Sequence, residues 1–245
     1  VGPNSGKKLT PDQVDAFNFL ENAWHRSQNI LIADEEKVGI KISVSMFIKH
    51  IFDLQNGHFQ PFLIVTSQFL VPKWETILTE WANLPYLPYI GSKESLQIMK
   101  KYDFTKPGST DDDLIFPLYI TTSNIIENDK QLFGSCHWDY VIIDDTANKR
   151  FFDKTVLKNL GNTIKSKNRL LLTPSLQKVN PHFVYDYFHF LDSNVFNDPL
   201  EFLTRHFNNG LIQYDDELLN FSLTHYQNSD KNLQITEMFV KCPIT

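Results

Sequence analysis

Tyr140-Val141-Ile142-Ile143-Asp144 is an apolar run that closes on two consecutive carboxylates, Asp144 and Asp145. Four further runs read the same way: Asn29-Ile30-Leu31-Ile32-Ala33, Phe62-Leu63-Ile64-Val65-Thr66, Leu118-Tyr119-Ile120-Thr121-Thr122 and Arg169-Leu170-Leu171-Leu172-Thr173. None alternates cleanly between polar and apolar residues, so each predicts a strand buried on both faces. Such strands belong in a parallel sheet covered by helices.

Helical patterns fill the gaps. Thr10 is a candidate N-cap and Pro11 suits the first turn that follows. Val14, Phe17, Leu20 and Trp24 then recur at helical spacing, and positions 44, 47, 48, 51 and 52 form one apolar face from Ile42 to Phe52. Val71 to Trp81, the stretch holding Val156, Leu157, Leu160 and Ile164, and a short piece from Leu200 to Phe207 complete the helices. Strand–helix alternation at this spacing argues for an α/β fold. Residues 105–116, with Pro107-Gly108 and Asp111-Asp112-Asp113, predict a mobile loop. Thr236 to Lys241 reads as extended.

Composition narrows the function. The chain has 245 residues, enough for one large domain. Its 23 Lys and Arg against 29 Asp and Glu leave a net charge of −6, which disfavours autonomous nucleic-acid binding. Two cysteines, Cys136 and Cys242, do not make a disulfide framework and fit a reducing compartment. No apolar run reaches the roughly 18 residues of a membrane span, so no membrane role is expected. Cys136-His137 and His182…His189 match no zinc spacing. Cys136 lacks an evident third group for a nucleophilic dyad, and reads as structural beside a buried Trp138. Residues 1–8 read as a vector-derived, flexible start and 9–245 as a single lobe.

Taken in order, the segments resemble the first RecA-like lobe of SNF2-type chromatin-remodelling ATPases, with the chromodomain-helicase (CHD) subgroup nearest. The resemblance rests on Leu9-Thr10-Pro11-Asp12-Gln13 at the adenine-reading segment and Leu31-Ile32-Ala33-Asp34-Glu35 entering the phosphate loop. It continues through Pro72-Lys73-Trp74-Glu75, Leu118 to Ile126, and Trp138 to Asp144 leading into the metal motif. Arg169 to Thr173 then leads into the coupling motif. The implied fold is an α/β, P-loop NTPase-type parallel sheet with helices on both faces.

The residues that carry the family's chemistry are changed. Where the family loop reads Asp-Glu-Met-Gly-Leu-Gly-Lys-Thr, this chain has Asp34-Glu35-Glu36-Lys37-Val38-Gly39-Ile40-Lys41. Only Gly39 keeps a loop glycine, and glycine is what lets backbone N–H groups approach phosphate. Ile40 replaces the lysine that reaches the phosphates, and Lys41 the hydroxyl that binds Mg²⁺. One step along a helix turns a side chain by about 100°, so Lys41 is expected to point away into solvent. The metal motif Asp-Glu-Ala-His reads Asp144-Asp145-Thr146-Ala147. Asp145 is one methylene shorter than the water-orienting Glu, and such misplacement can cost about 10²-fold in rate. Asp144 and Asp145 are also candidates to cap the next helix or to pair with Lys149 or Arg150. Thr173-Pro174-Ser175-Leu176 lacks the family's Gly-Thr.

The resemblance with these losses implies a pseudo-ATPase without cofactor. It would act as an interaction scaffold with other proteins of a nuclear, gene-silencing chromatin complex. Two alternatives stand beside it. One is half of a residual ATPase, needing a second lobe beyond Thr245. The other is a DNA- or nucleosome-binding module without turnover, using Lys149, Arg150 and Lys154 in weak, salt-sensitive contacts. The aromatic stretch 183–191 offers Tyr185, Tyr187 and Phe190 as candidate interface anchors. Packing of Val184, Phe188 and Leu191 on the sheet is the competing reading.

Overall fold

The computed structural model describes residues 7–33, 39–55, 60–106, 114–147, 152–176, 179–208 and 210–223. The chain runs α1 (Pro11–His25), β1 (Ile30–Ala33), α2 (Ile40–Leu54), β2 (Phe62–Thr66), α3 (Val71–Ile77), β3 (Leu87–Pro88), α4 (Lys93–Tyr102), β4 (Leu118–Thr121), α5 (Ser123–Asn128), α6 (Lys130–Ser135) and β5 (His137–Asp144). It continues as α7 (Lys154–Thr163), β6 (Lys165–Thr173), α8 (Pro181–Leu191), α9 (Pro199–His206), β7 (Phe207–Asn208), β8 (Leu211–Ile212), α10 (Asp216–Phe221) and β9 (Ser222–Leu223).

All five strands expected from sequence lie in one sheet, ordered β3-β4-β2-β5-β6-β1-β9, with every neighbouring pair parallel. The absence of alternation has a direct cause. Ile30, Ile32, Phe62, Ile64, Tyr140, Ile142, Leu170 and Leu172 enter one apolar cluster, closed by Leu20, Phe47, Ile51 and Trp74 of α1 to α3. Leu31, Leu63, Val65, Val141, Ile143 and Leu171 enter the other, closed by Phe133, Leu160, Val184, Phe188 and Phe202 of α6 to α9. With both faces covered, consecutive residues are buried on opposite sides. Strands β3 and β9 pair over two residues each and sit at the two edges. Their brevity leaves little sequence signal, and Pro88 is tolerated because an edge strand has an unpaired side.

Local chemistry sets the element ends. Thr10 Oγ1 accepts from the Gln13 N–H while Gln13 Oε1 accepts from the Thr10 N–H, a reciprocal cap that starts α1. Asp153, Asn180, Asp198 and Asp215 cap α7, α8, α9 and α10 with their side chains.

The expectation for the aromatic stretch is corrected. Tyr185, Tyr187 and Phe190 do not form a surface: they are 5%, 1% and 6% exposed and belong to the second cluster. Helix α8 packs against α9, where Tyr185 meets Phe202 and Phe188 meets Phe196 and Phe202, while Tyr187 reaches Asp145 and Phe190 meets Arg169. The loop at 105–116 is tied at both ends. Thr105 bridges Leu114, and the Tyr119 hydroxyl accepts from the Ile115 and Phe116 N–H groups while donating to the Phe104 carbonyl. Its tip at 107–113 lies outside the described residues, as do the expected strand at 236–241 and Val1 to Gly6. Lys7 reaches back to Glu80 at 2.8 Å. Cys136 is buried with its thiol on the Leu132 carbonyl, beside a buried Trp138, as expected.

A titratable cluster that the sequence reading missed joins α9 to α10. His206 is 2% exposed and lies 3.1 Å from Asp215 and 3.5 Å from Glu217. Arg205 already holds Glu217 at 2.9 Å. Burial pushes the His206 pKa below its ordinary 6.5, although the two carboxylates pull it upward. A depressed histidine favours its neutral form in the folded state. Stability is therefore expected to be full above about pH 6.5 and to fall as pH drops below it. Thermal melts between about pH 7.5 and 5.5 check this, with His206→Gln flattening the slope.

Candidate functional site

The carboxyl ends of parallel strands are where α/β folds gather ligands. Here the end of β5 and the start of α2 meet. Gly39 precedes α2 with φ at 78°, a left-handed conformation suited to glycine. A Cβ at Gly39 would lie 2.7 Å from Gln13 Nε2, so the Gln13 amide rests directly on this turn. Its Oε1 is engaged by the α1 cap. Asp34 to Val38, the rest of the phosphate-loop segment, lie outside the described residues.

Ile40 opens α2 and is 5% exposed within the first apolar cluster. Lys41 is not solvated, contrary to expectation: it is 4% exposed. Both of the first two positions of α2 are enclosed. The rotation of about 100° between them therefore moves a side chain from the apolar cluster to the strand ends, not to water. Lys41 Nζ lies 3.0 Å from Asp144 Oδ1 and 2.9 Å from Asp144 Oδ2. It also donates to Thr146 Oγ1 and stands 5.6 Å from the centre of the Trp74 ring.

Asp144 is fully buried and collects further donors. Trp74 Nε1–H donates to its Oδ2 at 2.7 Å. The Thr146 N–H and hydroxyl donate to its Oδ1 at 3.1 and 2.7 Å. The Thr66 hydroxyl is 3.4 Å from Oδ2. A buried ion pair survives its desolvation cost when extra hydrogen bonds satisfy both partners, as here. Asp145 is 1% exposed; its N–H donates to the Leu172 carbonyl at 2.8 Å, and its Oδ2 accepts from the Tyr187 hydroxyl at 2.6 Å. Asp144 and Asp145 thus look inward, to Lys41 and Tyr187, instead of capping the next helix. Lys149 and Arg150 lie outside the described residues, and Lys154 is exposed at the first position of α7.

The structure therefore brings together Gln13, Gly39, Lys41, Asp144 and Asp145. It adds Thr66, Trp74, Thr146 and Tyr187, which sequence reading did not place at the site. Lys41 supplies a positive charge on Asp144, where a divalent cation would sit in the family's arrangement. An ammonium neutralises a carboxylate but cannot hold and polarise a water as Mg²⁺ does. Tyr187→Phe removes one donor from a buried carboxylate while keeping the ring. It is expected to cost about 1–3 kcal/mol in urea denaturation.

The sequence profile of the SNF2-related domain matches residues 12–232. Protein CHROMATIN REMODELING 5 of Arabidopsis thaliana is 25% identical over 222 residues, covering 89% of this chain and 12% of that protein. Chromodomain-helicase-DNA-binding protein 1 of Homo sapiens is 24% identical over 207 residues, covering 84% of this chain and 12% of that protein. Among solved structures, the Sulfolobus solfataricus SWI2/SNF2 ATPase core domain superposes with a TM-score of 0.71 at 17% identity, over 94% of this chain and 46% of that one. The same core in complex with dsDNA gives 0.68 at 17% identity, over 91% and 45%. The chain thus spans about 12% of the length of these curated relatives. The fold is the expected α/β, RecA-like lobe.

Proposed function

The chain belongs to the SNF2-related domain family, and on that premise we propose that it is a remodeller-type lobe that no longer turns over ATP. It serves as a protein-interaction scaffold in a nuclear chromatin-regulating complex, in our reading a gene-silencing one. The observation that carries the loss of turnover is the Lys41–Asp144 pair. The carboxylate that would support the metal is held by an internal cation at 2.9 Å. Ile40 offers no charge to the phosphates, and Asp145 is held by Tyr187 where a longer, water-facing Glu would be needed. Loss of metal, phosphate and water positioning together removes the electrostatic terms on which phosphoryl transfer depends. Both faces of the sheet remain fully packed, which supports retention of the lobe for its surface.

A second reading draws on the same lysine. Lys41 lies inside the slot, so a nucleotide phosphate competing with Asp144 would find a cation there. That is the residual half-site, with an arginine finger from a second lobe. Phosphate release from MgATP, with and without duplex DNA, separates the two. The proposed function expects the rate of the protein-free blank. DNA-stimulated release abolished by Asp145→Asn would overturn it.

A further inference from the structure

Helices α7 and α8 do not close fully on each other. A cleft of about 320 Å³ runs between them, with Arg169 of β6 among its lining residues. The Arg169 guanidinium lies 4.9 Å from the centre of the Phe190 ring. Its Nη1 donates to the Phe190 carbonyl at 2.6 Å and its Nη2 to the Gly161 carbonyl at 3.5 Å. Both bonds go to neutral acceptors, and among the described residues it makes no ion pair. Burial accordingly lowers its pKa, with Asp192 exerting the main opposing influence. The guanidinium is thus positioned and half-buried, and among the described residues no carboxylate forms an ion pair with it.

The cleft's rim adds to this charge. Lys154 and Lys158 stand one turn apart on α7, both exposed, and line the same cleft. Asp186 is the one carboxylate among the lining residues, and it sits in the field of Lys154. Three cations and Asp186 line the cleft, with Asp192 acting on Arg169 and Asp153 on Asp186 from outside the lining, so the lining itself is positive on a chain whose net charge is −6. Leu157 and Phe190 are core residues, 2% and 6% exposed, that reach the cleft wall between the charges. The volume is near the lower end for ligand sites, room for one or two side chains. Duplex phosphates lie on a broad, rigid surface, and a guanidinium tucked beneath two helices is poorly placed to meet them.

We propose that the α7–α8 cleft docks an acidic peptide segment of a partner protein. A Glu or Asp carboxylate bonds to Arg169 and Lys158, and a neighbouring apolar side chain packs on Leu157 and Phe190. Arg is suited to this role because its planar fork matches a carboxylate. The proposal rests on the scaffold reading and gives it a location.

The test is selection of a random dodecapeptide phage library on the full chain, followed by affinity measurements on two variants. Lys158→Glu reverses an exposed charge without touching the core. Gly161→Leu projects into the cleft, since a Cβ there already lies 3.8 Å from Arg169 Nη1 and from the Phe190 ring. Thermal melts confirm that both variants fold. Enriched peptides are expected to pair an acidic residue with an apolar one, and each variant to weaken them by about tenfold or more. No enrichment, enrichment without acidic residues, or affinities unchanged in both folded variants would overturn the proposal. So would short duplex DNA that displaces the peptides with a steep salt dependence, which would make the cleft a nucleic-acid contact. Peptide failure with a silent phosphate-release assay removes the cleft and leaves the inactive-lobe reading standing. ATP turnover would remove that reading without affecting the peptide result.

Discussion

Lys41→Met is expected to lower the unfolding free energy by about 3–5 kcal/mol, because it leaves the Asp144 carboxylate buried without its cation. Small domains are stable by only about 5–15 kcal/mol, so this single change would remove a large fraction of the total. Methionine keeps the length of the side chain, which separates lost charge from lost packing. The double variant Lys41→Met with Asp144→Asn is expected to recover part of the loss, since the uncompensated charge is gone. Urea denaturation at neutral pH measures all three. A Lys41→Met variant within about 0.5 kcal/mol of the parent would mean that the pair does not exist in solution.

Trp74→Ala is the second large effect. Trp74 is fully buried, and its indole N–H donates to the same carboxylate at 2.7 Å. Deleting a buried tryptophan costs about 3–5 kcal/mol through lost contacts and the cavity left behind. Trp74→Phe keeps most of the volume and isolates the hydrogen bond to a charged acceptor, about 1.5–3 kcal/mol. Because Lys41 and Trp74 both act through Asp144, their effects are expected to be non-additive, with a coupling of about 0.5–3 kcal/mol. Strict additivity would show that the three residues do not act as one unit.

The fold was legible because double-sided burial writes itself into consecutive residues. Leu170-Leu171-Leu172 and Tyr140 to Ile143 alternate between the two clusters without a polar position to spare. The amino-terminal half of β6, Lys165 to Asn168, is polar and gave no such signal, yet it extends the pairing with β5. The site was legible in part. Asp144, Asp145 and Gly39 were found through the resemblance, from their places in the metal motif and the phosphate loop. The direction of Lys41 was misread because helical rotation alone was weighed, without the second enclosed side of α2. A lysine flanked by Ile40 and Ile42 and followed by Val44 was the available signal for burial. Trp74 and Tyr187 reach the carboxylates from elements brought near only by the folded sheet, whereas Thr146 bonds Asp144 from two residues along the chain. No local pattern announces a hydrogen bond between residues 145 and 187. The aromatic run of α8 read equally as core or surface because periodicity marks an apolar face but not what covers it. Helix α9 covers Tyr185 and Phe188, while Tyr187 reaches Asp145 and Phe190 meets Arg169.

The central claim is that an internal cation has taken over the nucleotide slot of this lobe. Titration calorimetry of the full chain with MgATP tests it most directly. The account expects no saturable heat up to roughly millimolar nucleotide, the weakest affinity such a titration resolves. A micromolar isotherm that depends on Mg²⁺ would contradict it, because it would require Asp144 to exchange Lys41 for the metal.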